Sequence, residues 1–102
     1  MTEPAISKSL YKILTDLTGE ARFDVALHLA TKELVLLKLK EVEEQIEQFE
    51  QCYHMDFDHF KQTWDEGHMA DQHSYEVERD YWEWEAAVTN RTRLQEILDS
   101  LA

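Results

Sequence analysis

Helix-breaking residues are nearly missing from this chain of 102 residues: two glycines, Gly19 and Gly67, and one proline, Pro4. Their scarcity excludes a turn-rich architecture and makes long uninterrupted helices the natural reading. Two glycines are also too few for a loop that cradles phosphate. Cysteine occurs once, at Cys52, so no internal disulfide can form, and the expectation is a reducing, cytoplasmic setting. No stretch approaches the roughly eighteen apolar residues that a membrane span requires. The first twenty residues hold no basic stretch followed by an apolar one, so no secretory signal is expected. Positive charge is scarce in one section above all. Residues 41–85 hold two Lys/Arg against fifteen Asp/Glu, a balance of −13, whereas residues 1–40 stand at +1 and residues 86–102 at zero. A nucleic-acid backbone or an anionic membrane would be repelled, so direct binding of either is not expected. A basic protein surface is the partner this section would admit, and a merely solubilising surface is the plainer alternative.

The length suits one small domain with a modest core. Four helical segments fit the pattern, at about 4–17, 20–53, 57–65 and 75–101. Pro4 suits the first turn of the first helix and Gly19 its end, with Ile6, Leu10, Ile13, Leu14 and Leu17 as its apolar stripe. Asp56 and Ser74 are candidate N-caps for the third and fourth helices, and Gly67 closes the third. The two long helices are separated by about twenty residues, most of them taken up by the third helix, so they are expected to fold back on each other. The expected fold is all-α: a long antiparallel helical hairpin with a short N-terminal helix and a short helix in the connection.

Helical spacing divides the long helices into several apolar faces. In the second, Phe23, Leu27, Ala30, Leu34 and Leu37 share one side, while Val35, Leu39, Val42, Ile46, Phe49 and Tyr53 follow a stripe rotated by about 100° or more. The middle, E-L-V-L-L-K-L, is apolar almost all round, which a surface helix does not tolerate. In S-Y-E-V-E-R-D-Y-W-E-W-E-A-A, residues 74–87, the residues Val77, Tyr81, Trp84 and Val88 fall within roughly 60° of one another. Tyr75, Trp82 and Ala86 lie nearly opposite, with Glu76, Asp80 and Glu83 in one gap and Glu78 and Glu85 in the other. One hairpin cannot cover so many faces. A homodimer or higher oligomer, packed as a helical bundle around a seam of Leu34, Val35, Leu36, Leu37 and Leu39, is therefore expected.

Candidate chemistry is thin. His54, His59, His68 and His73 gather with Cys52 near the connection, but 54/59 and 68/73 are i,i+5 pairs, which point apart on a helix, so no metal and no cofactor is expected. Glu43, Glu44 and Glu47 form an E-E-x-x-E that shares one helix face and can share a hard cation. This pattern is similar to that of all-α, magnesium-dependent nucleotide pyrophosphohydrolases of the MazG type, which gives an alternative, enzymatic reading. That family also needs an E-x-x-D on a neighbouring helix. The available one, Glu96 to Asp99, falls at the far end of the fourth helix. No Ser/His/Asp or Cys/His arrangement suggests a nucleophile, so no catalytic residue is assigned. Tyr75 and Trp82, flanked by Glu78 and Glu85, are the candidate partner-binding residues, because aromatics supply buried area at interfaces and flanking charges set the partner's sign.

A wider resemblance covers about half the chain. Tyr53, Met55, Phe57, Phe60, Trp64 and Gly67, followed by Ser74–Val77 and the segment Asp80-Tyr81-Trp82-Glu83-Trp84-Glu85, resemble small helical prokaryotic proteins labelled as the antitoxin half of toxin–antitoxin pairs. Those proteins combine a K-Y-G-M-like turn, a short F-x-x-F-x-x-x-W helix and a D-Y-W-E-W-E segment. Here His54 stands where the turn usually has glycine. The resemblance implies a non-catalytic protein that binds and silences a toxin, and the acidic section suits masking of a basic active surface. No ribbon-helix-helix arm is evident at the N-terminus, so DNA binding by this chain alone is not expected.

Overall fold

The computed structural model describes residues 7–101 and is all-helical, with four α-helices and no strand among those residues. Helix α1 spans Lys8–Thr18. It begins there because Ser7 is extended and its side chain accepts a hydrogen bond from the Leu10 backbone N–H at 3.1 Å, satisfying a donor that the first turn leaves free. Pro4 and Ile6, expected in the first turn and stripe, lie outside the described residues. Gly19 ends α1 at φ +73°, a left-handed conformation that costs glycine little, and its N–H bonds to the Thr15 carbonyl at 2.9 Å.

Helix α2, Phe23–Tyr53, starts three residues later than its pattern suggests, because Arg22 is still extended after the turn. The corner between α1 and α2 is pinned twice. The Tyr11 ring stacks on Phe23 at 5.8 Å, and its hydroxyl donates to the Ala21 carbonyl at 2.8 Å. Helix α3, Phe57–Asp65, is capped by Asp56, whose carboxylate accepts from the His59 N–H at 2.9 Å. Hydrogen bonding from the His59 backbone N–H and then its ring holds the Asp56 carboxyl below its ordinary pKa. Helix α4, Tyr75–Leu101, starts at Ser74, which accepts from the Val77 N–H at 3.3 Å.

The core lies between α2 and α4 and is closed at one end by α3. Val35, Leu39, Val42 and Ile46 of α2 meet Trp84, Ala87 and Leu94 of α4, and Phe60 of α3 is fully buried against them. Tyr53 lies beside Asp80 and Trp84, Ile46 near Val88, Val42 near Ala87, and Lys38 near Leu94. The 4-3-4 spacing of Val35, Leu39, Val42 and Ile46 is what allows one stripe to follow α4 over that length. No polar or charged side chain is buried among the described residues.

The other end of the molecule is built differently. Helix α1 contains no buried residue, and only Ala26 is buried in the first twelve residues of α2. Leu10, Ile13 and Leu17 of α1, with Leu27, Leu34, Leu36 and Leu37 of α2, are all exposed. Of the five residues of the expected seam, Val35 and Leu39 belong to the chain's own core, whereas Leu34, Leu36 and Leu37 do not. Spacing alone cannot separate them, since an all-round apolar helix offers every face and only the position of α4 selects one. The molecule measures 58 Å along its long axis, an elongated shape for its size.

Candidate interaction site

The N-terminal half of α4 positions two tryptophans two residues apart on opposite sides of the helix. Trp84 is 0% exposed and Trp82 is 68% exposed. A helical step of 100° per residue produces this split, sending residues at i and i+2 to different faces. Trp84 is the hub of an aromatic cluster, with ring centroids 5.0 Å from Phe60, 5.4 Å from Phe57, 5.5 Å from Phe49 and 5.8 Å from Tyr53. Its indole Nε1 is buried and has no hydrogen-bond partner in the described structure. Tyr81 rests on Trp64 at 4.8 Å, so α3 is held down by ring contacts along its length.

One polar contact sits at the edge of this cluster. The Tyr53 hydroxyl donates to the Asp80 carboxylate at 2.5 Å, linking the end of α2 to α4. Burial first, then the hydrogen bond and the negative charge of Asp80, push the Tyr53 phenol well above the ordinary tyrosine range. The Tyr81 phenol is raised as well, chiefly by burial and next by Glu85 and Asp65. Both groups stay neutral and act as structural rings. No sequence pattern pointed to the Tyr53–Asp80 pair, because its partners are 27 residues apart and meet only once α2 and α4 are side by side.

The outward side of α4 is where the expected partner-binding residues come together. Tyr75 is 77% exposed, with the Arg79 guanidinium 5.7 Å from its ring centroid. Trp82 lines a shallow groove with Glu85, Ala86, Thr89, Asn90 and Arg93. Glu78 is half-buried, 3.7 Å from the His73 ring nitrogen, while Glu85 is exposed. Positions 75, 78, 82, 85, 89 and 93 advance by threes and fours, so they form one continuous stripe on α4. Asn90 and Arg93 extend the expected face by two turns; their spacing from Trp82 was the available signal, hidden by the weak helix former Thr89 beside it. The stripe is an exposed aromatic surface with carboxylates on its border.

The remaining candidates stay apart. His59 pairs with Asp56 at 2.6 Å, His68 with Glu66 at 3.5 Å and His73 with Glu78 at 3.7 Å, all on the surface, and His54 is exposed. Each histidine therefore has its own neighbourhood. Glu43, Glu44 and Glu47 are exposed on α2. Asn90 and Leu94, which precede Glu96 and Asp99, already lie beside Lys38 and Glu41, so the E-x-x-D continues away from Glu47. Among the described residues, no three His, Cys, Asp or Glu side chains converge as a metal site, and no helix is long and apolar enough to cross a membrane. Cys52 is exposed and free. No family model, curated protein or solved structure matches the chain.

Proposed function

We propose that this chain is a non-catalytic, self-associating helical interaction module that masks a basic surface on a partner protein, in the manner of an antitoxin. The observation that carries the reading is the uncovered aromatic stripe of Tyr75 and Trp82, set on the section of the chain that holds a charge of −13. An aromatic anchor supplies contact area, and the surrounding carboxylates steer and orient a positively charged partner. In this reading α2 and α4 are the two arms of an antiparallel hairpin, α3 closes its open end, and two copies pair into a helical bundle. The facing of Val42–Tyr53 and Val77–Val88 supports the hairpin, and the uncovered leucines support the pairing.

The test is co-expression with the products of neighbouring genes, followed by co-purification. A basic protein is expected to be retained. Its binding should weaken at least about tenfold on Trp82→Ala, and should weaken further as salt screens the charges beyond the roughly 8–10 Å Debye length. Retention that ignores both changes would refute masking by this face. The acidic section carries only Lys61 and Arg79 as positive charges, so a nucleic acid is not the proposed partner.

A further inference from the structure

The uncovered leucines do not surround the molecule evenly, and their distribution says where a second copy binds. Leu10, Ile13 and Leu17 of α1 fall within an arc of about 60° at the helical step, and Leu17 is 76% exposed. Leu14 and Thr18, further round the same helix, are half-buried. Helix α1 therefore has a second apolar side that is exposed among the described residues. Leu27 and Leu34, two turns apart on α2, continue that surface across the corner pinned by Tyr11 and Phe23. Leu37 lies within about 80° of them and widens the same side, whereas the exposed Leu36 is nearly opposite and is not part of it.

We infer that a second copy of this chain docks on the corner formed by α1 and the N-terminal half of α2, leaving the Tyr75–Trp82 stripe of each copy free. This rests on the self-association proposed above and is independent of the basic partner. Three arguments select the second copy as occupant. The first is charge. Residues 1–40 are close to neutral, so like surfaces can meet there, whereas pairing through residues 41–85 would bring two sections of −13 together. The second is area. Six large aliphatic side chains at about half exposure present roughly 350–500 Å² of apolar surface, comparable with the apolar part of a standard interface of about 800 Å² per partner. The third is need. This end of the molecule has almost no core of its own, and a two-fold axis at the corner supplies one from identical parts. The same axis sets the acidic sections apart along a molecule 58 Å long, many Debye lengths at cellular salt.

Size-exclusion chromatography with light scattering on the full chain, between about 1 and 100 μM, tests this directly. The wild type should run at twice its chain mass of 12.1 kDa. The double variant Ile13→Glu/Leu17→Glu should raise the dimer dissociation constant by about 100-fold or more, and Tyr75→Glu/Trp82→Glu should change it by less than about threefold. Near-UV circular dichroism from the buried Trp84 cluster reports whether each variant keeps its core. If the glutamates unfold the corner, Leu17→Ala/Leu27→Ala is the gentler probe and should still weaken dimerisation by about tenfold. A wild type that stays monomeric at 100 μM ends the self-association reading as a whole. A dimer that tolerates both corner variants, or dissociates with Trp82→Glu instead, leaves self-association standing and overturns this placement.

Discussion

Replacing Trp84 is the most informative test of the aromatic cluster. The side chain is fully buried and touches four other rings, so Trp84→Ala leaves a large cavity that rigid neighbours on α2 and α3 cannot fill. Substitutions of this kind cost about 3–5 kcal/mol, against a total stability of order 5–15 kcal/mol for a domain of this size. With roughly 4–8 °C of melting temperature lost per kcal/mol, the midpoint should fall by about 15–30 °C. Trp84→Phe should behave differently. It removes the buried indole N–H that has no acceptor, a group whose burial costs about 1–3 kcal/mol, and so offsets much of the lost ring volume. A net cost below about 1.5 kcal/mol is expected. Trp82→Ala, two residues away and exposed, should stay within about 0.5 kcal/mol. Urea unfolding followed by far-UV circular dichroism at one fixed protein concentration measures all three, since self-association would otherwise shift the midpoints. A Trp84→Ala cost under about 2 kcal/mol, or equal costs at Trp82 and Trp84, would refute the assignment of one face to the core and the other to a partner.

Three further outcomes are expected. His54→Gly should stabilise by about 0.5–1 kcal/mol in the same unfolding assay, because His54 ends α2 in the left-handed region at φ +57°, where a Cβ is strained. The raised Tyr53 phenol adds stability that is fully present below the ordinary tyrosine pKa near 10 and is lost as pH climbs above it. Tyr81 is raised too and contributes in the same direction, so thermal midpoints should drop above about pH 10, and Tyr53→Phe should flatten part of that drop. Nucleoside triphosphates with magnesium should yield no pyrophosphate; turnover in the wild type that vanishes in Glu43→Ala/Glu44→Ala/Glu47→Ala would replace the masking proposal with hydrolysis.

The helices were readable largely because their ends carry short-range chemistry. Asp56 and Ser74 satisfy the first turns of α3 and α4 with their own side chains, and Gly19 sits at a positive φ that few other residues accept. The start of α2 was less readable, since Arg22 makes no side-chain cap and leaves no signature. The opposed placement of Trp82 and Trp84 follows from the helical step alone. The division of Leu34 to Leu39 does not, because an apolar run on every side is compatible with α4 lying on any of them. The Tyr53–Asp80 hydrogen bond and the extension of the outward stripe to Arg93 depend on tertiary approach or on a helix continuing through Thr89-Asn90, which local propensity understates.

Helix α2 is one unbroken rod of 31 residues, yet its two halves live under unlike conditions. Beyond Leu39 its backbone amides are sheltered by α4 and the aromatic rings; over Phe23–Ala30 the helix packs against α1 and Ala26 is its one buried residue. Opening free energies along a single continuous element should therefore grade from low to near global. Deuterium uptake in the lone subunit would be quick over Phe23–Ala30 and slow over Val42–Tyr53, and pairing at the α1 corner would erase that gradient. If a second copy docks there as proposed, the unevenness along this one rod becomes a readout of that docking.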